Sequence, residues 1–557
     1  MSDAGARGAV EPPQAKREHW SGQTAFILAA VGSAVGLGNI WRFPAVAYEN
    51  GGGAFVVPYL IALLTAGIPI LFLENAIGHR FRGSAPLSMH RVHRHAEGVG
   101  WFQIGINFVI GLYYTAVIAW ALSYFYFSFT LAYADDPQGF FLEDYLQLGT
   151  PGEVSVSFVP GVVIPLVIVW GIAIGTLALG LHKGVERLNI IGMPLLVATF
   201  LILVIRALML PGAVDGVEAL FTPDFSALSD PNVWIAAYGQ IFFSLSLAYG
   251  VMITYASYRK RRSNITGPGL VVAFGNSSFE LLAGIAVFAA LGFFAHDQGT
   301  TVAELEGIAG PMLSFVTFPA VIAQMPGGWI FGALFFASLV LAGLTSLISL
   351  LQTMSAALQD KFGWNPRTSA VSLGVVSAVL SVAGFGTTSG LILLDTVDQW
   401  SNQLGIVAAA VGMIAAALWF GKRATELERH LAAVSPMRPG RYWHLLVSAV
   451  AVLLVYMFVT KAISLVKDGY EGYPTWYLVV FGWGTIAFLV AMGLVMPRFA
   501  WRDDLEHPHI WPSREQLRLP AEVGAPVTEE FDPAIYEVDP GDGHDAGPGA
   551  RTEEDGR

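Results

Sequence analysis

The chain has 557 residues, 54% of them hydrophobic and 13% charged, with a mean hydropathy of +0.57, which is the composition of a membrane protein. The formal charge of −12 suggests a soluble acidic protein only at first sight, because most of it falls after Arg502. The chain has no cysteine, which excludes disulfides and thiolate metal sites.

Residues 1–19 are polar and end in the mixed-charge Lys16-Arg17-Glu18-His19, which does not read as a signal peptide and is expected to be a cytoplasmic N-terminal segment. Across residues 20–498, apolar runs of the roughly 20 residues needed to cross a bilayer recur about twelve times. Helices 1–5 (about 24–210) are expected at Thr24–Tyr48, Phe55–Gly78, Trp101–Ala132, Phe158–Leu179 and Asn189–Leu210. Helices 6–10 (about 233–420) are expected at Val233–Tyr258, Leu270–Phe294, Trp329–Leu358, Ala370–Phe385 and Leu391–Phe420. Tyr442–Ile463 and Trp476–Met496 give helices 11–12 (about 442–496). The fold class is therefore an all-α membrane protein. Residues 499–557 are rich in Pro, Gly, Asp and Glu and read as an acidic, disordered cytoplasmic tail.

Basic residues gather in alternate connections: Lys16/Arg17, Arg80/Arg82/Arg91/Arg94, Lys183/Arg187, Arg259–Arg262, Lys361/Arg367 and Lys422/Arg423. The other connections carry acids, such as Asp135, Asp136, Glu143, Asp144 and Glu153, then Glu304 and Glu306. The positive-inside rule puts both termini in the cytoplasm of a multi-pass protein of the cell membrane.

The first span is interrupted by Gly32-Ser33-Ala34-Val35-Gly36-Leu37-Gly38-Asn39 and carries Arg42 soon after. Each glycine weakens a helix by roughly 1 kcal/mol against alanine. Unwound backbone is tolerated at membrane depth only where it lines a cavity or is buried in protein. Its freed carbonyls and amides are good ligands for an ion and a small polar solute, which points to a transporter. Span 6 carries a second small-residue run, Gly239 to Gly250. Five spans separate the two, so the second unit starts from the opposite side of the membrane, a 5+5 inverted repeat with discontinuous helices 1 and 6. For span 6 alone, close helix packing explains the small residues equally well.

Gly32–Arg42, Phe43-Pro44, Glu49–Phe55, Trp234-Ile235-Ala236-Ala237, Thr254–Tyr258 and Ala342-Gly343-Leu344-Thr345-Ser346 closely resemble the neurotransmitter:sodium symporter family, in its prokaryotic branch. The resemblance covers about residues 16–498. It implies the LeuT fold and sodium-coupled secondary active import of an amino acid by alternating access, not an enzyme.

By the same resemblance, two Na⁺ ions are expected. The first would take Ala34, Asn39, Ser244 and Asn276, all neutral; Ser244 stands where the branch often has threonine, but the hydroxyl is kept. A cation so held lacks a counter-charge in a low dielectric, and the substrate carboxylate would supply it. Ion and substrate would then each favour the other's binding. The second would take carbonyls of Gly32, Val35 and Ala342 and the hydroxyls of Thr345 and Ser346, although such hydroxyls also bond back to the preceding turn.

The substrate cradle implied is Ala34, the amides of Leu37 and Gly38 at a half-helix N-terminus, Tyr114, carbonyls of Phe243, Ser244 and Ser246, and Ser346. Ile110, Phe243, Tyr249 and Leu350 would surround the side chain. Tyr249 replaces a phenylalanine of the leucine transporter and favours a substrate with a polar or aromatic tip. Amine-transporting relatives carry aspartate where this chain has Gly36, so the substrate should bring its own carboxylate: a neutral, hydrophobic or aromatic α-amino acid.

Charges inside a membrane are costly and default to function. Arg42 and Asp398 resemble the extracellular gate, with Tyr114 and Phe243 as its lid. Arg17 and Asp360 resemble the intracellular gate, with Trp20 and Tyr258 around it. Glu74 is expected to accept hydrogen bonds from amides freed in span 6. Glu280 stands where chloride-dependent relatives carry serine, one turn after Asn276, so its carboxylate would replace chloride and permit proton counter-transport. Partners are thus an amino acid and the lipid bilayer, with a homodimer as candidate assembly and no nucleic acid. Two rivals remain: a proton- or substrate-coupled transporter of the same fold, and a membrane enzyme built on His90, His93 and His95, whose neighbours Arg91 and Arg94 oppose metal binding.

Overall fold

The first span runs as a helix over Gln23–Ala34, breaks at Val35 and Gly36, and resumes as Leu37–Glu49 at 50° to its first half. In the computed structural model, which describes residues 18–260, 263–305, 310–440 and 442–501, every extended regular element is a helix. Ten unbroken apolar helices follow the criteria of length and composition for a crossing. They are span 2 (Gly53–Phe81), span 3 (Arg94–Ser128), span 4 (Pro160–Ala178), span 5 (Leu181–Leu208), span 7 (Thr266–Gln298), span 8 (Gly328–Phe362), span 9 (Pro366–Phe385), span 10 (Gly390–Phe420), span 11 (Trp443–Lys467) and span 12 (Thr475–Arg498).

Span 6 is the remaining crossing, and it is split. Pro231–Ser244 and Val251–Ser257 are helices, and residues 245–250 between them are not. The first half starts where chain chemistry favours it: Pro231 needs no amide partner, and the Asp230 carboxylate accepts from Asn232 N at 2.9 Å. Within the gap Ser246 and Ala248 hold φ of 51° and 67°, left-handed values that side-chain-bearing residues adopt at a cost. A shorter apolar helix, Gly310–Gln324, lies in the connection between spans 7 and 8.

Burial sorts the spans into an inner and an outer set. Spans 3, 7 and 8 are 83%, 72% and 78% buried over their most apolar windows, whereas spans 11 and 12 are 28% and 22% buried and turn most of their apolar surface outward. Span 3 lies along span 8, the first half of span 1 packs on spans 7 and 8, and the second half of span 6 packs on span 2. Both broken helices are thereby enclosed by protein, the condition for unwound backbone at membrane depth.

The packed chain continues past span 12. Trp501 is buried, and its Nε1 donates to Glu97 at 2.8 Å, beside the Lys361 ammonium at 2.6 Å from the same carboxylate. Arg17 and the acidic segment from 502 onward lie outside the described residues.

Candidate functional site

The break in span 1 is held by a short-range cap and by two close approaches. Asn39 Oδ1 accepts from the Gly36 amide at 2.9 Å, so a side chain of the first turn satisfies the donor at the helix start. The next amide, Leu37 N, donates to the Tyr114 hydroxyl of span 3 at 3.0 Å. A β-carbon at Gly36 would stand 2.7 Å from that hydroxyl, and one at Gly38 would collide with the Phe243 ring. Glycine at both positions is what lets the break meet spans 3 and 6.

From the same break a polar chain crosses the core. Asn39 Nδ2 donates to Asn276 Oδ1 at 2.8 Å, Asn276 Nδ2 to Ser244 Oγ at 3.1 Å, and Ser244 Oγ to Glu280 Oε2 at 3.3 Å. Gln240 Nε2 donates to the other Glu280 oxygen at 2.6 Å, and the Tyr59 hydroxyl donates to Oε2. Spans 2, 6 and 7 therefore meet at one buried carboxylate, with donors arriving from three side chains, and span 1 is joined to them through Asn276. Asn39, Ser244, Asn276 and Glu280 are all buried. The Asn39 and Asn276 amide oxygens each accept one hydrogen bond and keep a second lone pair for a hard cation.

A second oxygen cluster joins the first half of span 1 to span 8. Ser246 Oγ and Ser346 Oγ both donate to the Ser33 carbonyl at 3.2 Å. Thr345 Oγ1 donates back to the Leu341 and Ala342 carbonyls, each at 3.1 Å. The structure thus places Ser346 against the end of the first half-helix, near Gly32, Ala34 and Val35 in sequence, while Thr345 is engaged within its own helix.

The span 6 gap is supported from other helices. Glu74 of span 2 accepts from Ala248 N at 2.8 Å, and Asn107 of span 3 donates to the Tyr249 carbonyl at 2.9 Å. Ala34, Ile110, Tyr249 and Leu350 are buried members of the hydrophobic core. Towards one end of the bundle, the Arg42 guanidinium lies 4.2 Å from the centre of the Phe243 ring. Asp398 accepts instead from Tyr113 and Asn402, each at 2.6 Å. Towards the other end, Asp360 accepts from Ser84 N at 2.7 Å, and Trp20 packs edge-on against Tyr255 and Tyr258. Among the described residues no group of three metal-ligating His or acidic side chains occurs.

The sequence profile of the Sodium:neurotransmitter symporter family matches residues 17–136 and 132–502. The chain belongs to that family. It is 39% identical over 472 residues to an uncharacterized sodium-dependent transporter of Methanocaldococcus jannaschii, covering 84% of this chain and 94% of the relative. It is 29% identical over 510 residues to the sodium-dependent serotonin transporter of Drosophila melanogaster, covering 85% and 81%. The sodium- and chloride-dependent GABA transporter 2 of Mus musculus is 31% identical over 428 residues, covering 72% and 70%. Among solved structures, MhsT in complex with L-phenylalanine superposes with a TM-score of 0.68 at 31% identity, over 81% of this chain and all of the other. The symporter is a multi-pass membrane protein with the LeuT fold, and it is not an enzyme.

Sequence reasoning did not single out Tyr59, Asn107, Tyr113 or Asn402. Tyr59 sits in a span buried on most faces, so no periodicity marks it. Asn107 was visible as an amide in an apolar run, but its partner is backbone 142 residues away.

Proposed function

We propose that this symporter imports a neutral, apolar or aromatic α-amino acid together with two Na⁺ ions, without chloride, by alternating access. The observation that carries the reading is the buried polar chain from the span 1 break to Glu280. Its amide and hydroxyl oxygens suit one Na⁺, with Ala34, Asn39, Ser244 and Asn276 as ligands, and Glu280 supplies negative charge where no free anion is needed. The oxygens of Gly32, Val35, Ala342, Thr345 and Ser346 suit the second ion. The Leu37 amide and the Tyr114 hydroxyl, which meet at 3.0 Å beside Gly36, are the donors for a substrate carboxylate, which the first Na⁺ would share. Phe243, Ile110, Tyr249 and Leu350 offer the apolar wall, and Ser244 and Ser246 carbonyls the amino-group acceptors. MhsT, a family neighbour, is bound to L-phenylalanine, an amino acid of this class.

In this reading Arg42 and Asp398 close above the substrate at the extracellular end, and Arg17 and Asp360 at the cytoplasmic end, with both termini cytoplasmic in the plasma membrane. Two Na⁺ with a zwitterion carry two charges inward, worth about 4.6 kcal/mol at 100 mV.

A thermal-shift screen of the twenty amino acids with and without sodium tests the substrate, since a ligand of the folded state raises its stability. Apolar or aromatic amino acids should raise the midpoint, and only with sodium. Stabilisation by amines lacking a carboxylate would overturn the substrate class. Replacing chloride by gluconate should leave sodium-driven uptake nearly unchanged in the native protein and abolish most of it in Glu280→Ser. A native protein that stops transporting in gluconate refutes the chloride independence.

A further inference from the structure

A narrow, partly open apolar cleft of about 40 Å³ lies between spans 5, 7 and 8, lined by no residue of either helix break. Span 5 contributes Phe200 and Ala207, span 7 Val287 and Ala290, the Gly310–Gln324 helix Phe318, and span 8 Phe335. These six side chains are buried and apolar. Phe318 and Phe335 stack at 4.6 Å between ring centres, which makes one wall flat and rigid.

The surface around the cleft is lipid-facing in character. Ile202 and Ile205 of span 5, Met209 just after it, and Trp329 and Ile330 of span 8 are exposed, apolar surface that an aqueous ligand would not favour. One lining residue breaks the pattern. Arg206, in the last turn of span 5, holds its guanidinium 5.3 Å from the centre of the Phe331 ring. It forms no hydrogen bond or ion pair with another described residue. A guanidinium at a span end reaches for the headgroup region with its stem along apolar surface. Its planar fork suits a phosphate.

We propose that this cleft binds one acyl chain of a phosphate-bearing membrane lipid, whose phosphate rests on Arg206. The chain lies along the apolar cleft between spans 5, 7 and 8, and the headgroup supplies the anion that Arg206 lacks among the described residues. The occupant would also brace the Gly310–Gln324 helix, whose Phe315 meets Trp41 of the second half of span 1 at 6.3 Å between ring centres. The site is separate from the ion and substrate cluster and does not depend on the identity of the transported solute.

Native mass spectrometry of the purified full-length symporter titrated with phosphatidylglycerol reads the binding directly. Arg206→Gln should weaken retention of one lipid by about five- to tenfold, the size of one basic contact at a membrane surface. Ala290→Phe should fill the cleft and reduce retention by as much with the arginine intact; Ala207→Leu serves the same purpose if that variant does not fold. Glycerol 3-phosphate, which has the phosphate but no acyl chain, should neither bind nor displace the lipid. Unchanged retention in the arginine variant and in a cleft-filling variant overturns the proposal. Displacement by glycerol 3-phosphate also overturns it, since the site would then bind an anion without a chain.

Discussion

The two helix breaks solve one problem by different means. Span 1 breaks over two residues, Val35 and Gly36, and its cap is local: Asn39 lies three residues from the amide that it accepts. Span 6 breaks over residues 245–250, with Ser246 and Ala248 in left-handed backbone, and its supports are remote: Glu74 lies 174 positions from Ala248, and Asn107 lies 142 from Tyr249. The first break is written largely into its own segment, with Tyr114 of span 3 as its remote partner, and the second is imposed by neighbouring helices. An element that owes its shape to partners elsewhere is the better candidate for a moving part, because changing those partners changes its conformation.

The largest effect should come from removing a remote support. Glu74→Ala leaves the buried Ala248 amide without its acceptor, a loss of about 1–3 kcal/mol, and should lower the thermal midpoint and disable transport. Asn39→Ala removes the local cap and the hydrogen bond to Asn276 but leaves the Leu37 amide on Tyr114, and should cost about 1 kcal/mol of stability in sodium-free buffer. Equal losses would mean that the two breaks are supported alike.

Next comes the link between them. Asn276 bridges Asn39 of span 1 and Ser244 of span 6. Asn276→Ala should weaken sodium and amino-acid affinity together by about tenfold or more, for about 1.4 kcal/mol per decade. Thr345→Ala should weaken sodium binding with a smaller effect on the amino acid. Sodium and substrate titrations by isothermal calorimetry separate these outcomes; an Asn276 variant with native sodium affinity would detach the first ion from this chain.

The smallest effect concerns backbone strain. Ala248→Gly relieves a left-handed alanine at φ 67° and should stabilise the protein by about 1 kcal/mol. Gly36→Ala should instead destabilise it, because its β-carbon meets the Tyr114 hydroxyl at 2.7 Å. A midpoint that falls in Ala248→Gly would show that the strain is not stored there.

The same contrast explains how much was legible in the sequence. The span 1 break was readable because glycines and the Asn39 cap lie within one short segment. The ten unbroken crossings and the bent span 1 were readable from length and hydropathy, since lipid demands both. The span 6 gap was readable only as a run of small residues, equally consistent with packing, because two of its three left-handed positions are serine and alanine and only Gly250 is a glycine. Tyr59, Asn107, Tyr113 and Asn402 escaped because their partners come from other helices. The Arg42–Asp398 pairing also looks different in space: Arg42 stacks on Phe243, and Asp398 is held by Tyr113 and Asn402.

The most direct test is uptake of a labelled apolar amino acid, such as the best ligand from the thermal screen, into proteoliposomes containing the full-length protein. An inward sodium gradient should drive accumulation above the external concentration, faster with the interior negative, and Asn276→Ala should shift that uptake to about tenfold higher sodium. Equal uptake with potassium in place of sodium would contradict the assignment of the polar chain between the two breaks as an ion site.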